Sequence, residues 1–367
     1  MLILWIFLAA ALLVLLQRGI YMKFWSRKLL LRISFASSAI EAGEPVVVTE
    51  RIENRKLLPL PVFSYEYVLA RNFLVLTETG GKRKRVKIKL ALPPRRAVRN
   101  QTRIEGLPRG IYALSDIVLS AGDLFATFRG KLSVDSVTQL TVYPEKIPAT
   151  KLALPFRSML GTVLTRRLSL EDPFQLRGIR QYEIYDSMRD INWKASAKTG
   201  ELKVNQHEYT TDEALILLLD LETGTEDQRE TVLSLASSLC QLFLRRGVSV
   251  ALQTNGRSCF SAHPVRVRAG GGISHQTTVD EALAEIKLTA SVLKPFADFL
   301  REIPEQDLAR SLPVVISADQ TGTSNQAFRQ ILGEQNGYYL SVDAETAQKT
   351  DRIQVFTWDA NLQEVRL

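Results

Sequence analysis

Ala214-Leu215-Ile216-Leu217-Leu218-Leu219-Asp220 decides how the second half of this chain folds. Six unbroken apolar residues closed by a carboxylate suit a parallel strand buried on both faces, because a half-exposed strand would alternate. Outward from it, Asp227 to Arg246 has helical periodicity ending at Gly247, and Val248 to Leu252 reads as the next strand. Thr278 to Leu288 and Ala290 to Ile303 are expected as helices, Leu312 to Ser317 as a third strand and Ser324 to Leu332 as a helix. Gly337 to Val342 and Ile353 to Thr357 complete the strands. Strands alternating with helices predict a doubly wound, Rossmann-type α/β domain over residues 211–367.

Ahead of this region the pattern is different. Between Leu30 and Pro144 short alternating stretches are separated by turn residues: Leu31 to Phe35, Pro45 to Ile52, Val62 to Leu69, Phe73 to Thr77, Arg85 to Leu90, Gly110 to Leu114 and Gln139 to Tyr143. Period-two alternation rich in β-branched and aromatic residues predicts an all-β, immunoglobulin-like sandwich over residues 30–148. Lys82 to Arg99 holds nine basic residues and no acidic one. That run suits a docking face for lipid or an acidic partner, or an edge strand whose charges protect it from aggregation.

At the N-terminus, Met1 to Leu16 carries no charged or strongly polar side chain, and continuing to Phe24 reaches the ~20 residues needed to cross a bilayer core. A transmembrane helix over residues 1–25 is expected, with Arg18 snorkelling and Trp5, Tyr21 and Trp25 placed as interfacial aromatics. Nothing basic precedes the run and no small-residue cleavage pattern follows Leu13 to Gln17, so the segment is expected to stay attached. Arg18, Lys23, Arg27, Lys28 and Arg32 follow it, which by the positive-inside rule places the body in the cytoplasm. Residues 1–150 carry 23 basic and 11 acidic side chains, whereas residues 151–367 carry 24 and 28, so the excess cation sits beside the span. Membrane lipid is the partner this favours; no nucleic-acid recognition motif accompanies the charge. Two cysteines, Cys240 and Cys259, in 367 residues exclude a disulfide-dense secreted scaffold and a four-cysteine zinc site.

The densest chemistry lies between these regions, in residues 160–210. Glu171-Asp172-Pro173-Phe174 leads through Arg180-Gln181-Tyr182 to Asp186-Ser187-Met188-Arg189-Asp190-Ile191-Asn192-Trp193-Lys194-Ala195-Ser196-Ala197-Lys198 and on to Leu202-Lys203-Val204. This segment resembles the signature of the domain of unknown function 58 family, and Arg109-Gly110-Ile111-Tyr112 and Val142-Tyr143-Pro144 resemble its flanks. Tyr185-Asp186 stands where many members have Gly-Asp, a variant similar to a Gram-positive-type subset. The resemblance implies a von Willebrand A-like domain and partnership with a MoxR-type AAA+ ATPase and a membrane transglutaminase-like protein. Arg180, Asp186, Arg189, Asp190 and Lys194 around Trp193 suit a recognition surface with Arg forks and an aromatic anchor. They equally suit a seam locked by internal ion pairs, with Trp193 filling it.

Leu217-Leu218-Leu219-Asp220 also resembles the first strand of a von Willebrand A domain, whose full metal-binding form continues as Asp-x-Ser-x-Ser. Here the run is Asp220-Leu221-Glu222-Thr223-Gly224, and both serines are gone. No cofactor is expected; an unorthodox magnesium site would draw on Asp220, Glu222 and Asp319, with Thr277 or Thr278 nearby. His207, His263 and His275 lack the spacing of a helical zinc site, no Gly-x-Ser-x-Gly elbow is present, and Gly270-Gly271-Gly272 lacks the rest of a phosphate loop. The expected function is a membrane-anchored interaction protein and not an enzyme. Its alternatives are a metal-dependent adhesion module outside the cell, and a hydrolase sited at Asp186 or Asp190.

Overall fold

The computed structural model describes residues 2–71, 83–125, 127–134, 138–169, 171–182, 188, 191–209, 214–289, 292–319, 322–333, 335–342 and 353–358. By its contacts the chain divides into two units. The first comprises Met1–Glu145 with Cys259–Ser261 and Leu283–Lys287; the second comprises Lys146–Ser258, Ala262–Ala282 and Leu288–Leu367.

The first unit begins with α1 (Leu2–Phe24), a helix long and apolar enough to cross a membrane. Its strands are β1 (Leu29–Phe35), β2 (Ala39–Glu41), β3 (Val46–Asn54), β4 (Leu60–Arg71), β5 (Arg83–Leu92), β6 (Arg96–Ile104), β7 (Gly110–Gly122), β8 (Arg129–Val134) and β9 (Gln139–Tyr143). One sheet has the order β1-β3-β6; the other runs β2-β9-β7-β4-β5, with β8 also on β7. Every other residue of β3 is buried, Val46, Val48, Glu50, Ile52 and Asn54, which is the signature of a strand with one face on a core. Ile33, Val48 and Ile52 of the smaller sheet share that core with Phe63, Tyr65 and Leu119 of the larger one. β5 is an edge strand with Arg85, Lys87 and Lys89 facing water, so the basic run protects an open sheet edge as well as colouring the surface. The expected strand Phe73 to Thr77 lies outside the described residues.

Tyr21 and Trp25 correct the sequence reading. Both are buried in this core, where the Tyr21 hydroxyl donates to the Pro59 carbonyl at 2.8 Å. They hold the end of α1 to the sheets and do not face lipid. Trp25 lies flat against Gly130, where a Cβ would come within 2.4 Å of the indole.

The second unit opens with α2 (Ala153–Ser169), β10 (Glu171–Gln181), α3 (Trp193–Thr199) and β11 (Lys203–Tyr209), of which β10 and β11 pair antiparallel. There follow β12 (Ala214–Leu219), α4 (Glu226–Arg245), β13 (Ser249–Arg257), β14 (Pro264–Gly270) and α5 (Gly272–Glu285). The chain continues through α6 (Phe296–Arg301), α7 (Glu305–Ala309), β15 (Ser311–Ser317), α8 (Thr323–Leu332), β16 (Gly337–Val342) and β17 (Ile353–Trp358). One six-stranded sheet runs β14-β13-β12-β15-β16-β17; all its pairings are parallel except that of β14, an antiparallel edge. β12 is buried throughout, as its unbroken apolar run requires. Ile216 and Leu218 pack with Phe296, Phe299, Leu300 and Phe328, while α4 lies against β12 without joining that cluster. Helices therefore cover both faces. The helix expected from Ala290 shrinks to α6, because Pro295 lacks the N–H to continue a helix and sits at its N-cap.

Candidate functional site

In an open α/β sheet the strand order reverses at one point, and the carboxyl ends of the strands there flank a crevice. Here the reversal falls at β12, between β13 and β15. Asp220 leaves β12 at that end, Ser317 closes β15 beside it and Ser324 stands in the first turn of α8. The hydroxyls of Ser317 and Ser324 both donate to Asp220 Oδ2, at 2.7 and 2.6 Å, and the Glu222 N–H donates to Oδ1 at 3.0 Å. Asp220 is fully buried. Burial pushes its carboxyl above the usual range, opposed by the bonds from Ser324, the Glu222 N–H and Ser317, and reinforced by the Glu222 carboxylate.

Asp319 occupies the same rim. Its Oδ2 accepts the Ser324 N–H at 2.7 Å, and its own N–H donates to Ser317 Oγ at 2.9 Å. Ser317 thus gives its proton to one aspartate and receives one from the backbone of the other. Tyr339 of β16 is buried beside them; burial, with the charges of Asp220 and Asp319, pushes its hydroxyl above the usual phenol range. Glu222 turns away, accepting the Phe296 N–H at 2.7 Å at the start of α6, where a carboxylate completes the free end of a helix. The three carboxylates singled out from sequence share one region but address separate protein donors. Among the described residues no group of three or more His, Cys, Asp or Glu is placed to hold a metal ion. Thr277 and Thr278 are exposed on α5 and bond back to the carbonyls of Ile273 and Ser274.

The glycine at the last position of Asp220-Leu221-Glu222-Thr223-Gly224 has a local cause. Gly224 has φ +86°, and a Cβ there would stand 2.7 Å from Ala318 Cβ. The loop after β12 is folded down on the end of β15, and a serine at 224 would prop it open. The two hydroxyls that reach Asp220 come instead from Ser317 and Ser324, 97 and 104 residues downstream. Sequence reasoning passed over both; the only hint was a serine ending the apolar run before Asp319.

In the signature segment, Arg180 is placed on β10 opposite Val204 of β11. Asp186, Arg189 and Asp190 lie outside the described residues. α3 is short and firmly tied. Asn192 caps it by accepting the Ala195 N–H at 2.9 Å, and buried Ser196 accepts the Lys203 N–H at 2.8 Å while donating to the Asn192 carbonyl. Ser196 is therefore a staple, and its neighbour Lys198 faces water. Ile191 and Val204 are buried beneath, yet Trp193 is 64% exposed and Lys194 points outward beside it. Trp193 stands exposed at the start of this capped turn.

Two further polar groupings have structural roles. Lys146 Nζ contacts both oxygens of Asp280 at 2.8 and 2.7 Å and also reaches Ser237, which is wholly buried and donates to Asp280 as well. A serine beside a lysine can serve as a nucleophile, but this one is enclosed and fastens α4 to α5. Arg109, buried in the first unit, donates to the carbonyls of Leu283 at 2.6 Å and Ile286 at 2.8 Å, in the Leu283–Lys287 segment of the same unit, where α5 ends. A guanidinium there satisfies carbonyls that the helix leaves open and favours its negative end. His275 Nε2 lies 2.7 Å from the Val250 carbonyl, the mark of a structural histidine.

Residues 178–331 match the family described as Protein of unknown function DUF58, which supports a protein of that family. No curated protein matches the sequence. Among solved structures, the chain is similar to the putative ApaA protein of Bordetella pertussis, at 13% identity and a TM-score of 0.23, covering 31% of this chain and 91% of that one. It is similar also to the CARDB domain of the PF1109 protein of Pyrococcus furiosus, at 11% identity and 0.21, over 31% and 91%. For Spo0M, the sporulation control protein of Bacillus subtilis, the values are 12% and 0.20, over 42% and 58%.

Proposed function

We propose that this chain, whose residues 178–331 match the DUF58 family, is a membrane-anchored scaffold that holds other proteins at the inner face of the membrane. It comprises an immunoglobulin-like sandwich and a von Willebrand A-like domain, and its partner is a MoxR-type AAA+ ATPase, joined by a membrane transglutaminase-like protein. The sheet order, numbered along the chain as 3-2-1-4-5-6 with an antiparallel third strand, supports the Rossmann-type reading of the second unit. A Gram-positive-type variant of the family fits Tyr185-Asp186.

One observation carries the scaffold reading. At the strand ends where such a sheet takes a small ligand, the hydroxyls of Ser317 and Ser324 already occupy Asp220, whereas Trp193 is exposed on a capped turn beside Lys194. Exposed tryptophan with adjacent cations is the composition of a protein-docking hot spot, in which a few aromatic anchors supply most of the binding energy. A metal-dependent adhesion module needs free oxygens at Asp220, whereas the hydrolase alternative is sited at Asp186 or Asp190, outside the described residues.

The test is affinity capture of the tagged, detergent-solubilised chain with ATP or ADP present. An AAA+ ATPase is expected to co-purify, and Trp193→Ala with Lys194→Ala is expected to lose it while the chain remains folded by circular dichroism. Capture of no specific protein in either nucleotide overturns the reading. External protease on intact cells is expected to leave the body uncut.

A further inference from the structure

The end of α1 is not free for lipid along its whole length. Gln17 donates to Asp123 Oδ2 at 2.7 Å, Tyr21 is bonded to Pro59, and Trp25 is buried against Gly130. The helix from Leu2 to Gln17 rises only about 22 Å, against a hydrocarbon core of ~30 Å, whereas all of α1 rises about 33 Å. A span can therefore be completed only if the last two turns enter the membrane, and whatever is packed on those turns enters its boundary with them.

Sheet register shows which part of the first unit that is. Leu29 pairs with Asn54 and Asn54 with Arg96; Leu60 pairs with Leu92, and Gly122 with Arg129. The connections after α1, β3, β5 and β7 thus all emerge at one end, the end held by α1. Arg55 N–H donates to the Lys28 carbonyl and Arg95 N–H to the Lys56 carbonyl, both at 3.1 Å, tying three of the connections together. Two of the tips are apolar and uncovered: Leu57 is 70% exposed, Leu124 59% and Phe125 54%. Arg55, Arg95, Arg96, Arg27 and Lys28 are exposed around them.

We propose that this end of the first unit is a bilayer-embedded foot: Leu57, Leu124 and Phe125 lie in the headgroup layer, and the surrounding arginines bind the phosphates of anionic lipids. The inference rests on α1 crossing the membrane. Apolar side chains gain by leaving water for the headgroup–acyl boundary, and each basic side chain near an anionic surface adds attraction that a zwitterionic surface does not supply. The opposite end of the unit, at Glu105, stands about 26 Å away along β3 at ~3.3 Å per residue, beyond reach of the surface.

The full chain is reconstituted into vesicles of phosphatidylcholine and phosphatidylglycerol in equal amounts, with a nitroxide label at Leu57→Cys, Phe125→Cys or Glu105→Cys. Native Cys240 and Cys259 are buried, their thiols pushed up by burial to about 12 and about 11, and stay unlabelled. Collision with oxygen relative to a water-soluble nickel chelate is expected to be several-fold higher at 57 and 125 than at 105. That excess is expected to shrink in pure phosphatidylcholine and in the Arg55→Gln, Arg95→Gln, Arg96→Gln variant. Chains that float with the vesicles yet show equal ratios at all three sites overturn the foot and leave the span standing. Failure to float after alkaline extraction overturns both, and a lipid-independent excess overturns the role given to the arginines.

Discussion

Among the described residues, each unit of this protein buries one carboxylate completely, Glu50 in the first and Asp220 in the second, and the two are used differently. Glu50 of β3 accepts the Tyr67 hydroxyl at 2.8 Å, the Thr102 hydroxyl at 2.8 Å and the Asn100 amide at 3.1 Å. Tyr67 belongs to β4 of the other sheet, so the carboxylate is a polar rivet through the middle of a hydrophobic core. Asp220 also takes two hydroxyls, but at a strand end, where its third donor is the backbone of its own loop. The first arrangement joins two layers. The second ties the end of β12 to the end of β15 and the start of α8, a latch at a position suited to ligand chemistry.

If that distinction is right, removing the two carboxylates has unequal cost. Glu50→Ala leaves a tyrosine hydroxyl, a threonine hydroxyl and an amide facing one another in a sealed core, at roughly 1–3 kcal/mol for each polar group left unpaired. A loss of about 4 kcal/mol is expected, with β4 no longer held to β3. Asp220→Ala frees two serine hydroxyls that rotate readily and lie near a loop, and a loss of about 2 kcal/mol is expected. Calorimetry of the detergent-solubilised chain reads both. Equal losses would mean that Asp220 is as deeply structural as Glu50, and that its site at a strand end carries no special meaning.

The sequence showed these two residues unequally. Asp220 is conspicuous because it follows six apolar residues, and Gly337 to Val342 is legible because Tyr338, Tyr339, Leu340 and Val342 surround a single polar side chain, Ser341. Glu50 drew no notice, although it sits in phase with Val46, Val48 and Ile52, the face that alternation sends inward. Strands with few apolar residues were missed altogether: β6, where Arg96, Arg99 and Arg103 outnumber Val98 and Ile104, and β14, with Arg266 and Arg268 at the sheet edge. The partners of Asp220 were illegible for another reason. Serine is compatible with any local structure, and only the strand order brings Ser317 and Ser324 to it from about a hundred residues away.

A serine placed in the loop after β12 sharpens the contrast. Gly224→Ser supplies the last serine of an Asp-x-Ser-x-Ser spacing, yet it places a side chain at φ +86° and at 2.7 Å from Ala318 Cβ. Left-handed backbone costs ~1–2 kcal/mol for a residue with a Cβ, and overpacking adds a comparable amount. A destabilisation of about 2 kcal/mol is expected, with no magnesium-dependent rise in the melting temperature. A rise with magnesium would show that the latch opens to admit an ion and that the crevice is a dormant metal site.

The smallest effect is the most specific, because it reads protonation. The Asp220 carboxyl is raised above its unfolded value, chiefly by burial, so from the ordinary carboxylate range upward the unfolded chain holds fewer protons here than the folded one. Its contribution to stability is complete below the unfolded pKa and is lost as pH climbs through the raised folded pKa. Asp220→Asn keeps an oxygen for the Glu222 N–H and has no such dependence, although its amide NH2 must donate to the Ser317 and Ser324 oxygens, which donate in the parent. The variant is therefore expected to lose about 1 kcal/mol against the parent in acid and to regain ground as pH rises to neutral, read as the difference in melting temperature across that range. A gap that widens with pH would mean that the ionised carboxylate is the form the folded crevice prefers. In that case the three donors outweigh burial, and the latch would be a charged one, much closer to the anionic cradle that a cation requires.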